Sequence, residues 1–149
     1  MVDWYTTTKF VHIMLVVLVG GMSAGSGFWV EFAARGEYEY FVLRQVRRFH
    51  LRFVLPGLVL IPATGVATAW VGGLPLTLGW IVVATVLWAV VFVAMLAYAW
   101  VVTHQIRMLE DGDAEDGGYR RLALAGIVLG AGAGLVFAAI VYVMIAKPW

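Results

Sequence analysis

The 149-residue chain is 63% hydrophobic and only 13% charged, with a formal net charge of +1 and no cysteine. Soluble domains carry about a quarter charged residues, so this composition points to lipid, predicts no nucleic-acid partner, and leaves no length for a soluble catalytic domain beside the membrane spans. Disulfides, thiolate nucleophiles, iron–sulfur clusters and cysteine-ligated zinc are excluded, which leaves histidine, methionine, carboxylates or an organic cofactor for any redox or metal chemistry.

The first helix is expected over about residues 9–32. The chain opens Met1-Val2-Asp3-Trp4, with an acidic residue where a signal peptide has its positive region, so this helix is expected to be retained. A short charged connection over 33–44 leads into a second helix over about 45–71, in which Pro56 and Pro62 each remove a backbone donor and favour a bend. The run from Phe53 to Ile106 carries no charge. It is too long for one span of about 20 residues and is broken at Val71-Gly72-Gly73-Leu74-Pro75, which has the chemistry of a tight turn. A third helix over about 77–105 is followed by a loop containing Glu110, Asp111, Asp113, Glu115 and Asp116 among glycines, expected to be solvated and mobile. The fourth helix covers about 120–146. The fold class is therefore all-α, an integral membrane four-helix bundle forming one transmembrane domain over 1–149.

Positive charge sets the orientation. Arg35, Arg44, Arg47, Arg48 and Arg52 flank the first connection and Arg107, Arg120 and Arg121 the third, while the other side holds only Lys9 and Lys147. Both charged loops are expected in the cytoplasm and both termini outside, in the cytoplasmic membrane. Trp4, Trp70, Trp80 and Trp149 fall at the expected outer interface and Trp29 at the inner one, as aromatic belts do. Trp88 and Trp100 lie deeper and require packing partners. Gly126, Gly130 and Gly134 recur every four residues on the fourth helix, and Gly21 and Gly25 do so on the first. Such smooth faces let helices approach closely, within the chain, in a homo-oligomer or against another membrane subunit.

The candidate site residues are the three histidines and their neighbours. His12 lies one turn inside the outer end of the first helix, His50 begins the second and His104 ends the third. Ionisable residues at membrane depth commonly face a site or the bundle interior, and imidazole is a haem ligand. His50 and His104, on the same side of consecutive antiparallel helices, can bracket one b-type haem, with Arg44, Arg47, Arg48 and Arg52 toward its propionates. His12 has Met144 as its sulfur partner on the fourth helix, unless the iron is five-coordinate or a second subunit supplies the other ligand. Lys9, one turn from His12, can bind a propionate or polarise a quinone carbonyl. Plainer readings stand beside these: His50 and His104 in the head-group region, His12 as a buried hydrogen-bonded structural residue, the arginines as topology signals, and the Trp88, Phe92, Met95 stripe as packing. No phosphate-binding glycine loop and no serine beside a histidine occur. The absence of Lys, Arg, Asp and Glu from mid-membrane disfavours an ion or proton carrier.

Lys9-Phe10-Val11-His12, the following Gly20-Gly21, the terminal Met144-Ile145-Ala146-Lys147-Pro148-Trp149, and Pro56, Gly65, Gly72-Gly73 and Gly79-Trp80 between them resemble, over nearly the whole chain, a family of predicted four-helix integral membrane proteins (domain of unknown function 2269). That family is similar to the CopD-like membrane domains and to the HemJ-type protoporphyrinogen oxidases, four-helix proteins that bind haem b through a histidine in helix one. The resemblance puts His12 at that position. Arg47, Arg48, Pro56 and Gly79-Trp80 also match the HemJ pattern, which has a lysine about four residues after the tryptophan where this chain reads Ile81-Val82-Val83-Ala84. The resemblance and the histidines together imply a haem b protein passing electrons, with quinone, inside a larger membrane complex. A cofactor-free accessory subunit is the alternative, and a HemJ-like oxidase the third reading.

Overall fold

A computed structural model describes residues 3–33, 38–113 and 117–147; Arg35, Glu115, Asp116, Pro148 and Trp149 lie outside the described residues. Helix α1 spans Trp4–Ala33, α2 Glu39–Phe49, α3 Leu55–Val71, α4 Gly79–Asp111 and α5 Gly117–Ala146. A π-helical turn, His50–Val54, joins α2 to α3 without a break, so the chain crosses the membrane with four helices, each long and apolar enough to do so.

These rods are longer than the charge pattern implied. The 33 residues of α4 run about 50 Å at the helical rise, against a hydrocarbon core of about 30 Å. The excess lies at the arginine-bearing end, where α2, the last turns of α4 and the first of α5 stand clear of the lipid core. Water places no ban on a charged helix, and cross-links hold this extension together. Tyr40 donates to Glu110 Oε1 at 2.7 Å, Arg47 Nε to Thr103 Oγ1 at 2.9 Å, and Tyr119 to Glu39. At the other end α1 begins at Trp4 rather than near Lys9, because Asp3 caps it. The Asp3 carboxylate accepts the Tyr5 N–H at 3.1 Å and the Thr6 hydroxyl, as N-cap residues do. The Thr6 bond, more than the backbone ones, holds this carboxyl below its ordinary pKa.

The two prolines act differently. Pro56 cannot donate, and the residues before it widen into the π turn, in which the Leu55 N–H reaches back five residues to His50 O. Pro62 sits inside α3 and leaves Leu58 O without its usual donor four residues on. Trp88 Nε1, from α4, supplies that bond at 3.0 Å, and its ring stacks on Phe92 at 5.3 Å. Trp88 thus has its deep partner. Trp100 does not: it is exposed, with its ring on that of His104 at 3.9 Å. Trp4, Trp29 and Trp70 are exposed at the helix ends, and Lys147 Nζ stands 5.2 Å over the Trp80 ring.

The helices form two antiparallel pairs, α1 with α3 and α4 with α5, joined by α2 packing between α1 and α4. The α1 seam uses glycines of the α2–α3 rod rather than those of its own sequence. A Cβ on Gly57 would overlap Val19, one on Gly65 would meet His12 Cε1 at 3.2 Å, and one on Gly72 would overlap Tyr5. Val19, His12 and Tyr5 recur every seven residues, so one face of α1 sets three side chains into three bare spots. Gly126 lies in the α4–α5 contact, near Val101 and Tyr98, whereas Gly21, Gly25, Gly130 and Gly134 have open space where a Cβ would stand. α1 and α5 touch where Phe137 covers Gly20.

Candidate functional site

Because α1 and α5 meet at Gly20 and Phe137 and then part, a groove of about 760 Å³ opens between them toward the arginine-bearing end. Its floor is apolar and buried, formed by Val54 and Leu58 of the middle rod and Val91 and Met95 of α4; its walls are the small residues Gly20, Ala24 and Gly27 of α1 and Gly126, Gly130 and Gly134 of α5. Phe28, Leu124 and Ile127 at the rim are exposed, so the groove opens sideways, where lipid lies. Along α5 it runs from Tyr119 to Phe137, about 27 Å at the helical rise. With about 760 Å³ spread over that length and one side open, it suits a slender chain rather than a whole helix, which is about 10–12 Å across.

One end is polar. Glu39, Gln105, Tyr119 and Arg120 line it; Gln105 and Tyr119 are buried, and the Tyr119 hydroxyl donates to Glu39 Oε1. Gln105 lies 26 residues along α4 from Gly79, about 39 Å, which places this end at head-group level beyond a core of about 30 Å. Farther in, Ser23, Ser26 and Tyr98 also line the groove, with the Ser23 hydroxyl 3.7 Å from Met95 Sδ.

The three histidines stand at three separate places, and none lines this groove. His12 is half-buried on the α3 side, its Nδ1 3.0 Å from Thr64 Oγ1. The single Thr64 hydroxyl proton goes to backbone carbonyls, Leu60 O at 3.0 Å and Ile61 O at 2.9 Å. With that proton on a carbonyl, the threonine oxygen accepts from Nδ1 and Nε2 keeps the lone pair. His50 is 1% exposed, lies mid-rod rather than at a helix start, and donates from Nε2 to Met95 O at 3.3 Å. Its Nδ1 has no partner. The Tyr98 ring, which does line the groove, lies 5.2 Å from it. His104 bonds its own helix through Trp100 O at 2.9 Å and stands nine residues beyond Met95, about 14 Å along α4. The structure therefore does not bring His50 and His104 together.

Met144 is partly buried at the core's edge, seven residues past Phe137 and near the depth of His12. Lys9 is exposed over the Tyr5 ring at 5.8 Å. Arg47 is bound to Thr103, and Arg48 is exposed. None of these four lines the groove. Its polar end went unread in the sequence, although an uncharged Gln105 inside a long apolar helix and a tyrosine beside Arg120 were signals of it. Among the described residues no cluster of three or more His, Asp or Glu forms a metal site.

No curated protein matches this chain, and no solved structure does. The family described as "Predicted integral membrane protein (DUF2269)" matches residues 6–148, and the chain, with its four spanning helices, belongs to that family.

Proposed function

We propose that this membrane protein holds a long-tailed, lipid-soluble molecule of the quinone class in the α1–α5 groove, with the polar head at Glu39, Gln105 and Tyr119. The observation that carries this reading is the shape and polarity of the groove: long, open to one side, apolar along its floor and polar at one end. Pockets for apolar ligands combine such walls with a few polar groups that fix orientation. The head-group end offers both kinds of partner. The Gln105 amide and the Arg120 guanidinium donate to a quinone carbonyl, while Glu39 and the Tyr119 oxygen accept from a quinol hydroxyl. Solvent extraction of the purified protein should yield an isoprenoid quinone near one per chain, well above its share in bulk membrane lipid. A yield no higher than bulk, with no pigment, leaves the cofactor-free accessory subunit as the better account.

A second reading, electron transfer through b-type haem, is favoured by the setting of His12 beside Thr64. Ligating histidines commonly donate their other ring N–H to the protein; Thr64 Oγ1, 3.0 Å from His12 Nδ1, can accept it, which leaves the Nε2 lone pair for iron. The residues fit one axial histidine better than two, with Lys9 one turn away on the same helix for a propionate. Bound haem would supply one-electron chemistry, and the chain would orient it and exclude water. A reduced-minus-oxidised spectrum lost in His12→Ala and kept in His50→Ala supports this; a colourless protein ends it. Turnover of protoporphyrinogen would extend it to the HemJ-like oxidase.

A further inference from the structure

Arg44, Arg48 and Arg52 recur every four residues, and all three are exposed. On the opposite side of the same rod Leu43, Val46, His50 and Val54 are buried against a bundle in which this rod packs on α1 and α4. The three arginines therefore form a ridge on its outward face. Arg47 is not part of it, being turned inward to Thr103.

Depth gives the ridge its meaning. From Phe53 to Val71 the rod is uncharged for 19 residues, about 28 Å, which matches the hydrocarbon core. Arg52 stands at the edge of that core, and Arg48 and Arg44 follow about 6 and 12 Å farther out, through the zone of lipid phosphates. Apolar side chains flank them. Phe41, Leu51 and Phe53 are exposed, and the Phe49 and Phe53 rings pack at 5.3 Å. Arg44 Nη1 touches the Tyr40 hydroxyl at 3.4 Å, one bond of the five its guanidinium can donate.

We propose that this ridge binds the head group of an anionic phospholipid, its phosphate held by Arg48 and Arg52 with support from Arg44, and its acyl chains lying along Phe53 and the lipid-facing side of α3. The guanidinium fork matches phosphate oxygens two at a time, and the spacing sets the positive charges along the phosphate zone. Charge complementarity selects this occupant. A partner protein would need acidic side chains at the edge of the hydrocarbon, where they are costly, whereas anionic head groups are already there. The surface lies on α2 and the π turn, away from the groove walls of α1 and α5, and stands whether or not the groove binds quinone.

Native mass spectrometry of the full chain, in micelles doped with equal amounts of phosphatidylglycerol and phosphatidylcholine, tests this. The wild type should retain phosphatidylglycerol preferentially. Each arginine near an anionic surface strengthens attachment about five-fold, so Arg44→Gln/Arg48→Gln/Arg52→Gln should lose on the order of 100-fold in retention. Arg107→Gln/Arg121→Gln, which removes exposed arginines on α4 and α5, takes away only general surface attraction and should lose clearly less while keeping the preference for phosphatidylglycerol. If the triple variant fails to fold, Arg48→Gln alone should still lose several-fold. Equal retention of the two lipids by the wild type, or equal losses in the ridge and control variants, overturns the proposal.

Discussion

Each buried imidazole in this bundle is fixed by what its second nitrogen does. For His12, Nδ1 pairs with the Thr64 hydroxyl and Gly65 leaves room for the carbon edge. For His50 the lone pair on Nδ1 is orphaned in a 1% exposed site. An unmade hydrogen bond on a buried polar atom costs about 1–3 kcal/mol, and an aliphatic side chain of similar size lacks that cost. His50→Leu is therefore expected to raise the stability of the isolated chain, by about 1 kcal/mol, read as a higher midpoint of thermal unfolding in micelles. A lower midpoint would mean that the lost Nε2 bond to Met95 O, or a partner for the lone pair, outweighs that cost. The three histidines were legible as candidates from residue type alone. Their separation was not, because His50 and His104 look level only if their helices end near them; both rods continue, and His104 runs on past the level of His50.

At the scale of elements, the number and order of spanning helices followed from the charge-free run and the Gly72-Gly73 turn, both visible in the sequence. Which glycines make the helix contacts was not visible. Four-residue spacing drew attention to Gly126, Gly130 and Gly134, but only Gly126 touches a neighbouring helix; the α1 seam rests on Gly57, Gly65 and Gly72, spaced eight and seven apart. That spacing matches a side-chain register on the opposite helix, a property of two segments together that neither shows alone. Gly57→Ala forces a methyl into Val19 and is expected to destabilise by about 1–3 kcal/mol, as overpacking does. Adding Val19→Ala removes the obstructing methyls, so the double variant should recover part of the loss. Gly132→Ala, on α5 with open space at its Cβ, should be neutral or slightly stabilising, since alanine is the better helix former by about 1 kcal/mol. Unfolding of the wild type and these three variants in the same detergent checks this, and a Gly57→Ala chain as stable as the wild type would show that the seam is looser than its geometry implies.

Taken whole, the molecule is two tight helix pairs with one loose side, and the groove exists because α5 carries glycines where α1 does not follow it. Proximity of Glu39, Gln105 and Tyr119 could not be read from a chain in which they lie 66 and 14 positions apart; it depends on α2, α4 and α5 all extending past the lipid core. The same looseness offers a clean intervention. Gly130 and Gly134 line the groove with nothing within 4 Å of a Cβ, so a larger side chain there can extend into it. A phenylalanine ring at either position takes up room that a bound chain would need. Gly130→Phe and Gly134→Phe are expected to keep the wild-type helicity and thermal midpoint while reducing co-purified quinone more than about ten-fold, a loss of at least about 1.4 kcal/mol in binding. Gly132→Phe, on the same helix but outside the groove lining, should leave the yield near that of the wild type. If the three variants retain quinone equally, the groove is not where it sits, and the loose side of the bundle is only a gap that lipid fills.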